Sequence, residues 1–138
     1  MIYRTPILLL LIASIWSLIS CTSPAKTQTI ATPPLPTAFD AGWKGERVCE
    51  KLFENAQMRA ARCSFAPGIG HERHFHPPHW GYIEQGTTMR ITTAAGTVDR
   101  VLKSGTNWWS DGIDWHEAVN IGTTTGVYVI VEPKQPKS

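Results

Sequence analysis

A chain of 138 residues, 17% charged and with a formal net charge of +2, has room for one modest domain. Arg4 lies in a segment expected to be removed, so the remainder is close to neutral and offers no footing for nucleic acid or for an acidic partner. Glycine, proline and threonine are frequent and short apolar runs alternate with turn signals, which disfavours a helical bundle and predicts an all-β domain.

Residues 1–20 read as a signal peptide. Arg4 supplies the positive start, and Ile7 to Leu18 is apolar apart from Ser14 and Ser17. That run is too short for a comfortable membrane span. Leu18-Ile19-Ser20-Cys21 resembles the lipobox of bacterial lipoproteins. The resemblance implies cleavage before Cys21 and lipidation of its thiol. Thr22, in place of an aspartate, then implies the outer membrane, with the protein facing the periplasm. A plain signal peptide, or a short uncleaved anchor, would leave Cys21 incidental. Two or three acyl chains hold a protein firmly where one is marginal. Residues 21–38, rich in threonine and proline, are expected to be a tether, residues 39–134 the domain and residues 135–138 a polar tail.

The first predicted strand is Arg47–Phe53, turned by Glu54–Gln57 into a second over Met58–Phe65. A hairpin centred on Ala56 sets Cys49 opposite Cys63, close enough for a bridge. Export to an oxidising compartment favours that disulfide; the alternative is two buried free thiols. Ala66-Pro67-Gly68 breaks the strand, and GIGHERHFHPPHWGYIEQG follows. It holds four of the five histidines, His71, His74, His76 and His79. His74 and His76 are two apart, so on a strand they share a face and can grip one metal ion. His71 is expected at the surface or rim. Pro77-Pro78 cannot donate to a ladder and marks a strand end. Further strands are predicted over Trp80–Gln85, Thr87–Thr93, Thr97–Leu102, Asn107–Trp109, Trp115–Asn120 and Val127–Glu132. His116 lies on the penultimate one. This many short strands with regular turns suggests a closed barrel or jelly roll.

Two stretches resemble the cupins. The first motif of that superfamily, G-x5-H-x-H-x(3,4)-E-x6-G, matches Gly68, His74, His76 and Gly86. The second, G-x5-P-x-G-x2-H-x3-N, matches Gly105, His116 and Asn120, with Asp111 and Ile113 in place of its proline and glycine. The match runs from about Arg47 to Lys134. It implies a cupin-like β-barrel, or double-stranded β-helix, and a homodimer paired through edge strands. The motif's glutamate is missing; counted back from Gly86, its place is taken by His79.

Three imidazoles, His74, His76 and His116, are expected to leave a metal with open positions. Imidazole suits Fe, Mn, Zn, Cu or Ni better than Mg or Ca, and losing a carboxylate weakens a hard cation further. His79 is either a fourth ligand or turned outward by the Pro-Pro bend. Histidines can also line such a barrel without metal, bonded to one another or to Tyr82. Tyr82, Trp80, Trp109 and Trp115 are expected to wall a small-molecule pocket, with Trp115 at the rim and Asp111 at the mouth. Of the adjacent Trp108 and Trp109, one must face in and one out. The sequence thus leaves two main readings, beside an accessory subunit that uses its barrel only to dimerise. One is a metal-dependent enzyme, an oxygenase or isomerase acting on a small organic molecule. The other is a non-catalytic module that binds a small ligand or metal at the envelope.

Overall fold

Alternating inward and outward side chains build eleven strands within residues 34–134, the part of the chain that the computed structural model describes. The residues read as signal peptide, lipidated Cys21 and tether, up to residue 33, and the tail 135–138 lie outside the described residues. In chain order the strands are β1 (Gly42–Trp43), β2 (Glu46–Arg47), β3 (Cys49–Glu54), β4 (Met58–Phe65), β5 (Gly70–His76), β6 (His79–Gln85), β7 (Thr87–Thr93), β8 (Gly96–Leu102), β9 (Asn107–Ser110), β10 (Ile113–Asn120) and β11 (Gly126–Pro133).

β3-β4-β11-β6-β9 form one sheet and β5-β10-β7-β8 the other, all antiparallel. The chain passes from the second sheet to the first at Pro77-Pro78, where a ladder could not continue. It passes back after β6 at Gly86. The inner faces supply the core: Ala61, Cys63 and Phe65 from β4, Ile83 from β6, Met89 from β7, Ala118 from β10, Tyr128 and Ile130 from β11. This is the all-β barrel that the alternation predicts.

One close approach fixes the wall on the β9 side. Gly81 pairs with Trp108, and a Cβ at Gly81 would overlap the indole, so only glycine lets Trp108 lie flat across the inner face of β6.

Three details differ from the sequence reading. The run expected as one strand from Arg47 is split at Val48, because Lys44 and Gly45, both at positive φ, first fold β1 and β2 into a small hairpin. β10 begins at Ile113 rather than Trp115. Residues assigned to the tether are packed on the barrel: Ala38 is fully buried, Thr37 bridges Phe75 in parallel, and the Phe75 amide donates to the Pro36 carbonyl at 3.1 Å.

Cys49 and Cys63 face each other across β3 and β4 and are joined in a disulfide, with a Cα–Cα distance of 4.0 Å. The register around them is the one centred on Ala56, and a bulge between Lys51 and Phe53 absorbs the tight end at Asn55. The bridge closes a loop with a sequence separation of 14, so its removal in Cys49→Ser/Cys63→Ser should cost about 3 kcal/mol. Urea unfolding of the variant and of the native chain, compared without reductant, measures this; equal midpoints would show that the bridge adds nothing.

Candidate metal centre

β5 and β10 are neighbours, and their register puts His116 opposite His74. Strand alternation turns His74, His76 and His116 to the inner face, where their Nε2 atoms form a triangle. The edges are 2.9 Å for His74–His76, 3.1 Å for His76–His116 and 2.9 Å for His116–His74. His74 and His76 are buried and His116 is partly so. The His74 Nδ1–H donates to the Glu72 carbonyl at 2.6 Å, which leaves its Nε2 as a lone pair aimed into the triangle.

Burial holds all three imidazoles neutral. Desolvation first, then the neighbouring histidines, pushes His76 down to about 2 and His116 to about 3; His74 is also lowered, chiefly by burial. A neutral imidazole carries one ring proton, so three nitrogens this close cannot all donate to one another. With the His74 proton spent on Glu72, the cluster is a set of converging lone pairs of the kind that coordinate a cation. A transition-metal ion about 2.0–2.1 Å from each nitrogen fits over a triangle of this size. An all-imidazole donor set suits Fe, Zn, Cu or Ni better than Mn, which prefers carboxylates.

Two groups behind the triangle were not legible as site residues. Glu132 comes from β11, fifty-six residues beyond His76, and its side chain is buried. Its Oε2 accepts from the Arg59 guanidinium at 2.6 Å, and its Oε1 lies 3.4 Å from His76 Nδ1 without hydrogen-bond geometry. Arg59 is in turn seated over the Phe39 ring, 4.2 Å from its centroid. Burial pushes the Glu132 carboxyl up, against the pull of Arg59. A carboxylate behind a ligating histidine is the arrangement that orients the ring and raises its basicity.

The other is His71, placed by sequence at the rim and found fully buried. The register of β5 against β10 shifts between His74 and His71, so both turn inward although they are three residues apart. The His71 ring lies 3.9 Å from that of His74 and 5.7 Å from Phe65, and neither of its nitrogens has a hydrogen-bond partner. Burial lowers its pKa to about 3.

His79 follows the Pro-Pro bend and points inward, not out. It is buried, with its ring 4.5 Å from that of His76 and its Nδ1–H donated to the Pro77 carbonyl at 2.9 Å. The converging group of nitrogens comprises His74, His76 and His116, and His79 stands beside it.

Two members of the triangle, His76 and His116, line a cavity of about 950 Å³ that residues of β8 and β9, one edge strand from each sheet, also line. Its walls are mainly apolar, with Ile83, Met89, Ile91, Trp108 and Ile130 among them. The aromatic wall differs from the expected one. Trp80 and Tyr82 alternate with His79 and Ile83, so they stack on each other on the outer face, 6.1 Å apart. Trp115 is one residue out of phase with His116 and lies under the Arg73 guanidinium, 3.8 Å away, outside the cavity. Trp109 stands at the rim, 57% exposed, and its indole N–H donates to Asp111, which therefore serves the turn rather than the cavity mouth. The inward partner of the tryptophan pair is Trp108, held over Gly81 and edge-on to His79 and Tyr128.

Structural comparison decides the fold. A cupin domain from Bordetella pertussis Tohama I superposes with a TM-score of 0.61 at 20% identity, over 73% of this chain and 97% of that one. The fold is that of the cupin domains. A conserved protein with a double-stranded β-helix domain from Klebsiella pneumoniae gives a TM-score of 0.54 at 20% identity, over 68% of this chain and 83% of that one. A cupin superfamily protein from Desulfitobacterium hafniense DCB-2 gives 0.50 at 15% identity, over 63% and 76%. No protein-family model matches the sequence, and no curated relative does.

The buried histidines set the acid behaviour of the metal-free protein. His71, His76 and His116 titrate lower folded than unfolded, so the unfolded chain takes up protons first. The neutral rings' contribution is full above the ordinary histidine value of 6.5 and is lost as pH falls toward about 3. Urea midpoints of the chelator-treated full chain should therefore drop between pH 6.5 and 5, before most carboxylates titrate. A flat profile across that window would refute buried neutral histidines.

Proposed function

We propose that this chain is a lipid-anchored protein of the cell envelope whose cupin barrel binds a divalent transition metal through His74, His76 and His116 and acts on a small organic molecule. The observation that carries the metal is the triangle of neutral Nε2 atoms, 2.9–3.1 Å on an edge, with His76 and His116 on the wall of a ligand-sized cavity. When bound, such a metal would supply a Lewis acid held by His74, His76 and His116. The residues of the chain do the rest. Glu72 fixes the His74 tautomer, Glu132 and Arg59 brace His76, and the apolar wall keeps water from the bound molecule. His79, at the place of the missing glutamate and on the cavity wall beside His76, is the candidate for a fourth ligand or a proton carrier. The reactions that suit this arrangement are those of an oxygenase or isomerase.

A second reading, a non-catalytic binding module, is favoured by one specific observation. No aspartate or glutamate is among the residues that line the cavity, so the usual carboxylate base is missing. The lipobox-like residues up to Cys21 support the anchor and the periplasm-facing outer membrane, and the free β8 and β9 edges leave room for a homodimer.

Metal content separates the readings from an inert barrel. The full chain, purified without chelator or histidine tag, should carry near-stoichiometric Fe, Mn, Cu, Ni or Zn by elemental analysis. His74→Ala/His76→Ala/His116→Ala should carry none. Glu132→Gln should still bind, with affinity lower by about 10- to 100-fold. No metal in the native chain, even after reconstitution, would overturn the metal reading. The anchor has its own test: Cys21→Ser should move the protein from the membrane pellet to the soluble fraction, and unchanged fractionation would refute lipidation at Cys21.

A further inference from the structure

The charges around the cavity are unbalanced in one direction. Arg100 and Lys103 line it, and no carboxylate does. Arg100 lies on β8, where it pairs with Met89 of β7, while its neighbours Val98 and Leu102 pair with Ile91 and Thr87. Met89 and Thr87 are buried and Ile91 packs on the core, so this face of β8 is the inner one. The next residue before it, Asp99, is on the outer face and forms a bidentate pair with Arg90 at 2.8 and 2.9 Å. The two strands thus carry two arginines. The outer one has a carboxylate partner. The inner one has no ion pair and no side-chain hydrogen bond among the described residues.

Arg100 is solvent-exposed where it lines this mainly apolar cavity, and a guanidinium with an open fork there is a bidentate receptor for a planar oxyanion. Its position sets the size of the ligand. His116 pairs with Thr93 and Arg100 with Met89, so roughly 13 Å of strand separate the two ends along β7. An acid small enough to chelate a metal with its carboxylate cannot reach both. An acid with an apolar body several bonds long can, and Met89, Ile91 and Trp108 lie along that path.

We propose that the cavity takes an organic acid, with its carboxylate on Arg100, assisted by Lys103 at the mouth, and its apolar body laid along Met89, Ile91 and Trp108 toward the histidines. This rests on the cavity being the ligand site of the reading above, and it names the ligand class. The Arg100 contact is independent of whether a metal is held.

The test uses 4-phenylbutanoate and its neutral isostere 4-phenylbutanamide, titrated by calorimetry into the full chain, both chelator-treated and metal-loaded. The acid should bind at least tenfold more tightly than the amide in both forms. Arg100→Gln should erase that preference, Arg100→Lys should keep part of it, and Arg90→Gln on the outer face should leave it unchanged. The preference should also survive in His74→Ala/His76→Ala/His116→Ala, so a failed metal site and a failed acid site give different results. Equal binding of acid and amide, no saturable binding of either, or a preference that appears only with metal and persists in Arg100→Gln would overturn the proposal.

Discussion

The structure depends on a conflict inside the barrel: three imidazole nitrogens are brought within hydrogen-bonding distance of one another without enough protons to satisfy them. Burial removes the remedy that water would offer, and it also keeps the rings from taking up protons. A barrel keeps such a cluster only if its own register holds the rings in place. Here the β5–β10 pairing does so, and Glu132 of β11, paired with Arg59 of β4, stands behind His76.

That register is pinned at the far end of β10. Asn120 is buried and uses all four of its side-chain bonds: its amide donates to the Phe65 and Thr124 carbonyls, and its oxygen accepts from the Thr87 hydroxyl and the Gly122 amide. It therefore ties the end of β4, the start of β7 and the turn before β11 to the strand that carries His116. A fully satisfied buried polar group of this kind specifies one arrangement, since any slip would leave four groups unpaired. The motif position matched by Asn120 is thus structural, while the one matched by His116 gives a nitrogen to the triangle, although both sit on the same inner face.

Much of this was legible in the residues. Alternation gave the strands, the i, i+2 spacing gave the His74–His76 pair, and the symmetry of the hairpin about Ala56 gave Cys49 with Cys63. What was not legible has physical causes. His71 is out of phase with His74 in an ideal strand, and only the local shift against β10 brings it inward. Glu132 sits at the end of an apolar strand and meets His76 only because β11 lies at the centre of the other sheet. Trp80 and Tyr82 were read as pocket walls before the direction of His79 was known. Once the Pro-Pro bend turns His79 inward, alternation sends both aromatics out.

The N-terminal segment has a mechanical consequence. Pro36 and Thr37 are bonded to Phe75, the residue between the two histidines of β5. The leader into the barrel is therefore a strap fastened to the ligand strand, not a loose lead. A pull along it would reach the backbone between His74 and His76 before it reached any other strand. Shortening the chain to Phe39 would free that edge of β5. The length of chain ahead of the barrel and the rigidity of its histidine strand are thus one design variable.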